Sequence, residues 1–301
     1  MNYVQLETFL SVANTRNFNR SAETLCITQS AVSTRIRKLE EALGVELFSR
    51  GRFGAELTSS GVKFQQYAVQ LCEVWRYAQQ ELALPRGYEG ILRLSTQFSV
   101  WEKFVNSWVI DMRERYPNIA LHLEADYSMT MMEQIVNNML DIAVMYQPRI
   151  MLDIEIIKLF DDKFVLISTE PSDLESLDKD KYVYIGWCPG FHSAHSSQVP
   201  SLTAKGVTMG LGTMAIEYLK EKGGSVYLQA WRAKELLDSK EFHLVENAPA
   251  ILQPVYAVYR KGTQNNELYD AAIKSLLSLA TKIGNGDDDA WQVKQSISSE
   301  Y

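Results

Sequence analysis

The 301-residue sequence predicts an α/β protein: an N-terminal winged helix-turn-helix, a long linker helix, and a two-lobed α/β domain. Three observations predict it. Two helical patterns near the N-terminus are separated by a tight connection. A 4-3 apolar repeat runs from Phe64 to Leu82. From Gly90 onward, strand patterns alternate with helical ones, which indicates a parallel sheet flanked by helices. The chain exceeds the usual size of one domain, and its 46% hydrophobic content can supply a core to each unit.

The elements follow in order. Val4, Leu6, Phe9, Leu10, Val12 and Ala13 fall mostly on one helical face, interrupted by the capping chemistry of Asn17 and Asn19. A short second helix is expected over Arg20 to Leu25, capped by Asn19, and a third begins after Thr28 and ends before Gly44. On the third helix Val32, Ile36, Leu39 and Leu43 make an inward stripe, while Gln29, Ser30, Ser33, Thr34, Arg37 and Lys38 lie outward. Val45 to Phe48 and Ala55 to Leu57 read as two small strands around Arg50-Gly51-Arg52-Phe53-Gly54, the wing. Thr58 then caps the linker helix, on which Phe64, Ala68, Leu71, Trp75, Ala78 and Leu82 form an a/d seam that Pro85 and Gly87 end.

Beyond Gly90, strands are predicted at Ile91 to Ser95, Ala120 to Glu124 and Ile142 to Tyr146, with helices around Trp101 to Arg115 and Met131 to Met139. A second set has strands near Phe164 to Ser168, Tyr182 to Gly186, Gly206 to Met209 and Ser225 to Leu228, and helices near Thr213 to Glu221 and Trp231 to Leu237. Val255 to Tyr259 and a helix from Asn266 to Ala280 complete one lobe. The expected domains are therefore 1–58, a linker over 59–88, and 89–283, with lobe I over 89–146 plus 254–283 and lobe II over 147–253. The polar stretch 284–301 is expected to be disordered.

Charge is divided unevenly. The whole chain carries −7, but residues 1–65 hold eight Lys/Arg against six Asp/Glu, net +2, leaving −9 for the remainder. Only the first segment has the sign that counterion release from DNA rewards. No apolar run is long enough for a membrane helix, and MNYVQLETFL does not read as an export signal, so a cytoplasmic location is expected. Cys26, Cys72 and Cys188 lack metal-ligand spacing and read as buried thiols in a reducing compartment. His192 and His195, at i and i+3 with no Cys or paired carboxylates nearby, read as a surface loop rather than a metal site. GxSxG, P-loop, GxGxxG and HExxH patterns are absent, so no enzyme, cofactor or metal is expected. A periplasmic solute receptor, a further alternative for a two-lobed chain, conflicts with this N-terminus and with the helix-turn-helix.

The run TQSAVSTRIRKLEEALGVELFSR followed by LTSSG resembles the DNA-binding signature of LysR-type transcriptional regulators. The match covers the first 65 residues strongly, and the remaining architecture is similar to the family's effector domain, itself like a solute-binding protein. Ser30 departs from the proline common in the family, and serine also suits a first helical turn. SVWEKFVNSWV, YVYIGWCPGFH and PVYAVYRKG look like the sub-branch that includes a regulator of the bacterial flagellar master operon.

These readings nominate site residues. Gln29, Ser30, Ser33 and Thr34 can read base edges in the major groove of promoter DNA, and Arg35, Arg37, Arg50 and Arg52 can hold phosphates, the resemblance placing the wing near the minor groove. Phe64, Ala68, Leu71, Trp75, Ala78 and Leu82 would make a dimer, and the resemblance adds a tetramer and contact with RNA polymerase. In a two-lobed α/β domain the ligand sits beyond the strand C-termini. That rule nominates Gln97, Phe98, Ser99, Trp101, Tyr127, Ser128, Met129 and Tyr146 on one wall and Trp187, Phe191, Thr213 and Gln229 on the other. The set is aromatic and holds no Lys or Arg, which suggests a cationic or apolar small-molecule effector held over ring faces. The opposing reading is that Phe98, Trp101, Trp108 and Trp187 fill lobe cores. A regulator that acts without ligand, its second domain only oligomerising, is the alternative function.

Overall fold

The computed structural model describes residues 1–51, 54–203, 206–262 and 267–297. The chain divides into two compact units, Met1–Tyr88 and Glu89–Tyr301.

The first unit opens with α1 (Tyr3–Thr15), whose N-terminus is closed by a reciprocal capping box between Asn2 and Gln5. α2 (Phe18–Thr24) starts earlier than the sequence suggests, because the Asn17 carboxamide, not that of Asn19, accepts the N–H groups of Asn19 and Arg20 at 2.9 and 3.2 Å. Starting there packs the Phe18 ring edge-on against Phe48. α3 (Gln29–Leu43) is capped by Thr28 and ends at Gly44, φ 71°. Its stripe of Val32, Ile36 and Leu39 enters a core with Leu6, Phe9, Val12, Ala22 and Leu47.

The wing is an antiparallel pair, β1 (Phe48–Gly51) and β2 (Gly54–Leu57). β1 begins at Phe48 rather than Val45 because the Glu40 carboxylate takes the N–H groups of Leu47 and Phe48, at 2.7 and 3.2 Å, in place of a partner strand. α4 (Ser59–Leu82) is capped by Thr58, whose hydroxyl accepts from the Gly61 N–H and donates to the Glu46 carbonyl.

The second unit is built on one sheet serving two lobes, with strands β3 (Gly90–Thr96), β4 (Ile119–Ala125), β5 (Ile142–Tyr146), β6 (Ile154–Ser168), β7 (Tyr182–Ile185), β8 (Val207–Met209), β9 (Ser225–Gln229), β10 (His243–Leu244) and β11 (Ile251–Arg260). The order is β4-β3-β5-β11-β6-β9-β7-β8, with β10 beside β6. β4-β3-β5 and β9-β7-β8 are parallel sets, each the centre of one lobe. β6 and β11 run antiparallel through both and join them. β6 starts ten residues before the expected Phe164, since Glu155, Lys158, Asp161, Asp162 and Lys163 obscure its alternation.

Helices α5 (Phe98–Val100) and α6 (Asn106–Arg115) are joined by a π-turn, Trp101–Val105, and α6 packs with α11 (Glu267–Ile297) on lobe I. Trp108 is fully buried there and donates its indole N–H to the Ala272 carbonyl at 3.1 Å. α7 (Ser128–Val136) covers the opposite face with Met131, Met132 and Ile135. In lobe II, α9 (Gly212–Lys222) and α10 (Ala230–Asp238) bury Ala215, Leu219, Ala233 and Leu236 against the sheet.

Three expectations are corrected. α8 (Pro189–Gln198) replaces the loop expected around His192 and His195; its run PGFHSAHSSQ lacks an apolar stripe, but Pro189 and the Cys188 thiol, which accepts the Phe191 N–H at 3.3 Å, start it. Of the three thiols only Cys188 is buried, while Cys26 is exposed in the turn before α3. α11 continues past Ala280 to Ile297, into the stretch expected to be disordered, two interior glycines being tolerated at about 1 kcal/mol each.

Candidate nucleic-acid interface and inter-lobe cleft

On α3 the residues that do not enter the core form one edge. Gln29, Ser30, Thr34, Arg37 and Lys38 are exposed, and Ser33 is half-buried. The Gln29 side-chain amide donates to the Ser33 hydroxyl at 2.9 Å, and the Thr28 and Ser30 hydroxyls lie 3.0 Å apart. Side chains on the first two turns are thus held in place by their neighbours. Arg37 is loosely paired with Glu41 at 3.7 Å, with both side chains open to solvent. Arg35 is half-buried and donates to the Thr8 hydroxyl at 3.3 Å, so it ties α3 to α1. Of the nominated wing residues, Arg50 lies on β1 and Arg52 lies outside the described residues.

A concavity of about 500 Å³ opens between the start of α2, the edge of α3 and the wing. Its lining adds Asn17, Asn19 and Ser49 to the nominated Gln29 and Ser33. Sequence reading used the asparagines only as caps and missed Ser49, although its place one residue from Arg50 could have suggested it.

The linker seam divides in two. Ala68 is fully buried and Phe64 packs its ring 5.1 Å from that of Phe9, so these two belong to the unit's own core and are not available to a partner helix. Leu71, Trp75, Ala78 and Leu82 are exposed, as are Tyr67 and Val74. Trp75 is half exposed, its ring 6.1 Å from that of Tyr3. The exposed stripe is therefore Tyr67, Leu71, Val74, Trp75, Ala78 and Leu82, one face of the last four turns.

In the second unit the strand ends that lobe I and lobe II turn toward each other carry a polar network. The buried Tyr146 donates its phenol to the Asp162 carboxylate at 2.6 Å, receives the Ser99 hydroxyl at 3.3 Å, and gives its backbone N–H to the Gln97 side-chain Oε1 at 2.9 Å. The Ser128 hydroxyl donates to the Tyr146 carbonyl at 3.0 Å. From lobe II the Gln229 amide donates to the Ser99 carbonyl at 3.2 Å, and Arg232 Nη2 lies 2.8 and 2.7 Å from the two Glu102 oxygens. Gly190 N–H donates to Gln147, and the Cys188 thiol to Gln253. Burial and the Asp162 charge together raise the Tyr146 phenol well above its ordinary range, and burial raises the Cys188 thiol. The Gln229–Ser99 and Arg232–Glu102 contacts hold the lobes against one another, and the space beside Asp162 is about 10 Å³, room for about one water molecule.

The ring-cage expectation fails in part. Phe191 is fully buried among Phe164, His195 and Tyr227, and Trp187 packs on Phe164 at 5.2 Å and donates to the Tyr227 carbonyl, so both fill the core. Phe98, Tyr127 and Met129 stand exposed at the rim, with Trp101 and Thr213 half-buried. His195 is buried too, with Nε2 2.9 Å from the Tyr182 hydroxyl, and burial followed by the nearby His192 lowers its pKa. Glu102, Asp162, Arg232 and Gln253 were missed. Arg232, three residues beyond the end of β9, was findable by the same rule that nominated Gln229.

No group of side chains suited to a metal occurs among the described residues. Among them, no helix is long and apolar enough to cross a membrane.

Two family models match. "Bacterial regulatory helix-turn-helix protein, lysR family" covers residues 3–62, and "LysR substrate binding domain" covers residues 85–280. Among characterised relatives, the HTH-type transcriptional regulator HdfR of Yersinia pestis (strain Pestoides F) is 27% identical over 287 residues, 92% of this chain and 97% of its own. HdfR of Yersinia pseudotuberculosis serotype O:1b (strain IP 31758) matches equally. Solved structures share the fold at lower identity. CbnR, a LysR family transcriptional regulator, has a TM-score of 0.69 at 18% identity, covering 93% of this chain and 99% of that one. Full-length CbnR complexed with its target DNA has a TM-score of 0.68 at 18% identity, covering 94% and 99%. With both family models covering most of its length, the chain belongs to the LysR family of bacterial helix-turn-helix regulators, and it is a DNA-binding transcription regulator with a substrate-binding domain through which small-molecule effectors modulate it.

Proposed function

We propose that two copies of this chain pair through the exposed stripe of α4 and present two α3 helices to successive major-groove half-sites of promoter DNA. The observation that carries this reading is the polar edge of α3, where Gln29 is pre-positioned by Ser33 while the opposite stripe of the same helix is locked in the core. An amide reads adenine through its N6 and N7 atoms, and fixing that amide beforehand removes part of the entropy cost of binding. Ser30 and Thr34 flank it. Arg37, Lys38, Arg50 and Arg52 supply charge to the phosphates, which fixes register without reading sequence.

The effector site is the cleft lined by Gln97, Ser99, Ser128, Tyr146, Gln229 and Arg232, with Phe98, Trp101, Tyr127, Met129 and Thr213 at its rim. Opening and closing of the lobes changes how copies pack and hence how paired reading heads are spaced. Assembly beyond the dimer to a tetramer, contact with RNA polymerase, and residence in the cytoplasm, where the chromosome is, complete the reading.

The test is quantitative footprinting on DNA recovered with the protein from cells. Ser33→Ala and Gln29→Ala are expected to cost about 1–3 kcal/mol on the selected operator and little on random duplex, whereas Arg37→Ala weakens both and lowers the salt slope by about one. Unchanged footprints in all three variants would remove α3 from the groove.

A further inference from the structure

Lobe I reaches lobe II through a charged contact that no sequence pattern announced. Glu102 sits in the π-turn after β3, and π-turns gather at functional positions because they displace side chains from ordinary helical register. Its partner, Arg232, is in the first turn of α10. The pair joins residues 130 apart in the chain, and both side chains are partly shielded, 31% and 24% exposed. The Ser99–Gln229 hydrogen bond lies beside it, between α5, which leads into the π-turn, and the end of β9, which leads into α10.

The two partners are held unequally. Arg232 Nη1 also faces Glu235 at 3.5 Å, and its guanidinium lies 5.2 Å from the Trp231 ring. Glu102 is positioned by Arg232. Losing Glu102 therefore leaves an oriented guanidinium facing the cleft. The internal pair also underuses it: one nitrogen, Nη2, contacts both carboxylate oxygens, so the two-nitrogen fork that suits a planar oxyanion is not engaged by Glu102. Other charges at the cleft already have partners, Asp161 with Lys158 at 2.7 Å and Asp162 with Tyr146.

Resting on the reading of this cleft as the effector site, we propose that Glu102 and Arg232 form a latch that keeps the lobes closed without ligand. A small carboxylate, or another planar oxyanion, is then the effector group that enters, taking the guanidinium fork from Glu102. This reverses the cationic effector suggested by the aromatic residues of the sequence. The aromatic side chains that would have made a cage are in the core or at the rim, and the best-oriented charge is positive.

The experiment uses the full-length protein. Amide hydrogen exchange is followed over the π-turn and α10 in wild type, Glu102→Gln, Arg232→Gln and the swapped pair Glu102→Arg with Arg232→Glu. Three probes follow: acetate, benzoate, and benzamidine, which resembles benzoate in shape but is positively charged. Glu102→Gln is expected to speed exchange about tenfold at both elements, and the swapped pair to restore wild-type protection. Acetate or benzoate should bind Glu102→Gln about tenfold more tightly than wild type and not bind Arg232→Gln, with benzamidine inert on all three. Unchanged exchange in Glu102→Gln overturns the latch. Carboxylate binding that survives Arg232→Gln, benzamidine binding equal to that of benzoate, or no carboxylate binding to Glu102→Gln overturns the proposed entry group. Operator affinity indifferent to every extract fraction and metabolite would instead sink the effector reading while leaving the latch standing.

Discussion

Replacing Trp75 by alanine tests the dimer surface most directly. Trp75 is 50% exposed in the single chain, its ring 6.1 Å from that of Tyr3. A buried tryptophan covers about 150–250 Å², so roughly 100 Å² remains for a partner helix. At about 25 cal/mol per Å² that is about 2.5 kcal/mol per protomer, counted twice across a twofold axis. Incomplete burial and side-chain ordering reduce it, leaving about 2–4 kcal/mol, a rise in dimer dissociation constant of roughly 30- to 1,000-fold. Sedimentation equilibrium over a concentration series measures that constant. Leu82→Asp is the control for folding: Leu82 is 88% exposed, so it has little intrachain packing to lose, yet it lies on the same stripe. A dissociation constant moved less than threefold in both variants would refute α4 as the seam.

Three further outcomes follow from particular contacts. A Cβ added at Gly54 would collide with the Arg16 carbonyl, and its φ of +134° excludes ordinary side chains, so Gly54→Ala should destabilise the first unit by about 2 kcal/mol or more, read by urea unfolding. His195 has a lowered pKa in the fold, so the unfolded chain binds the extra proton first as pH drops. Its contribution to stability is therefore complete above the ordinary value of 6.5 and is lost as pH falls through that value toward the depressed one. Urea midpoints measured across this range should slope downward toward acid in wild type and flatten in His195→Gln. Thr28→Ala removes the hydroxyl that accepts the Ala31 N–H at 3.2 Å, and a loss of about 1 kcal/mol is expected by the same unfolding assay.

How far the sequence could be read depended on where each element finds its hydrogen-bond partners and its buried face. α3 and α4 were legible because cap, stripe and stop agree locally: Thr28 with Val32, Ile36, Leu39 and Gly44, and Thr58 with Phe64 and Ala68. The start of the wing was not, because Glu40, seven residues before Leu47, supplies the acceptor that delays β1. α8 was invisible for a related reason: its cap is a thiol and its buried residues, Phe191 and His195, are spaced as one face only once Tyr182 and Tyr227 are in place. Topology nominated the strand ends where the Tyr146–Asp162 and Gln229–Ser99 contacts lie. It could not assign direction, so Trp187 and Phe191 were taken for ligand contacts when they face Phe164, and Glu102 with Arg232 was overlooked because the partners are 130 residues apart.

The division of the α4 seam bears on how a signal could reach the reading helix. Its N-terminal half is fixed to the winged unit at several points, through the Thr58 hydroxyl to Glu46, Gly61 against the Leu47 carbonyl, Phe64 on Phe9, and Ala68 in the core. Close packing leaves such a joint little slack, so α4 and α3 move as one body. The rest of the stripe, Tyr67 and the residues from Leu71 to Leu82, is left to pair. At 24 residues and about 1.5 Å per residue α4 spans roughly 36 Å, so a tilt of about 10° at the seam displaces its far end by ~6 Å. That shift approaches two base-pair steps of B-DNA, each about 3.4 Å. In the proposed α4 pairing, a small change of angle between the two helices would be enough to bring two α3 edges into or out of register with half-sites, without any change inside the winged unit.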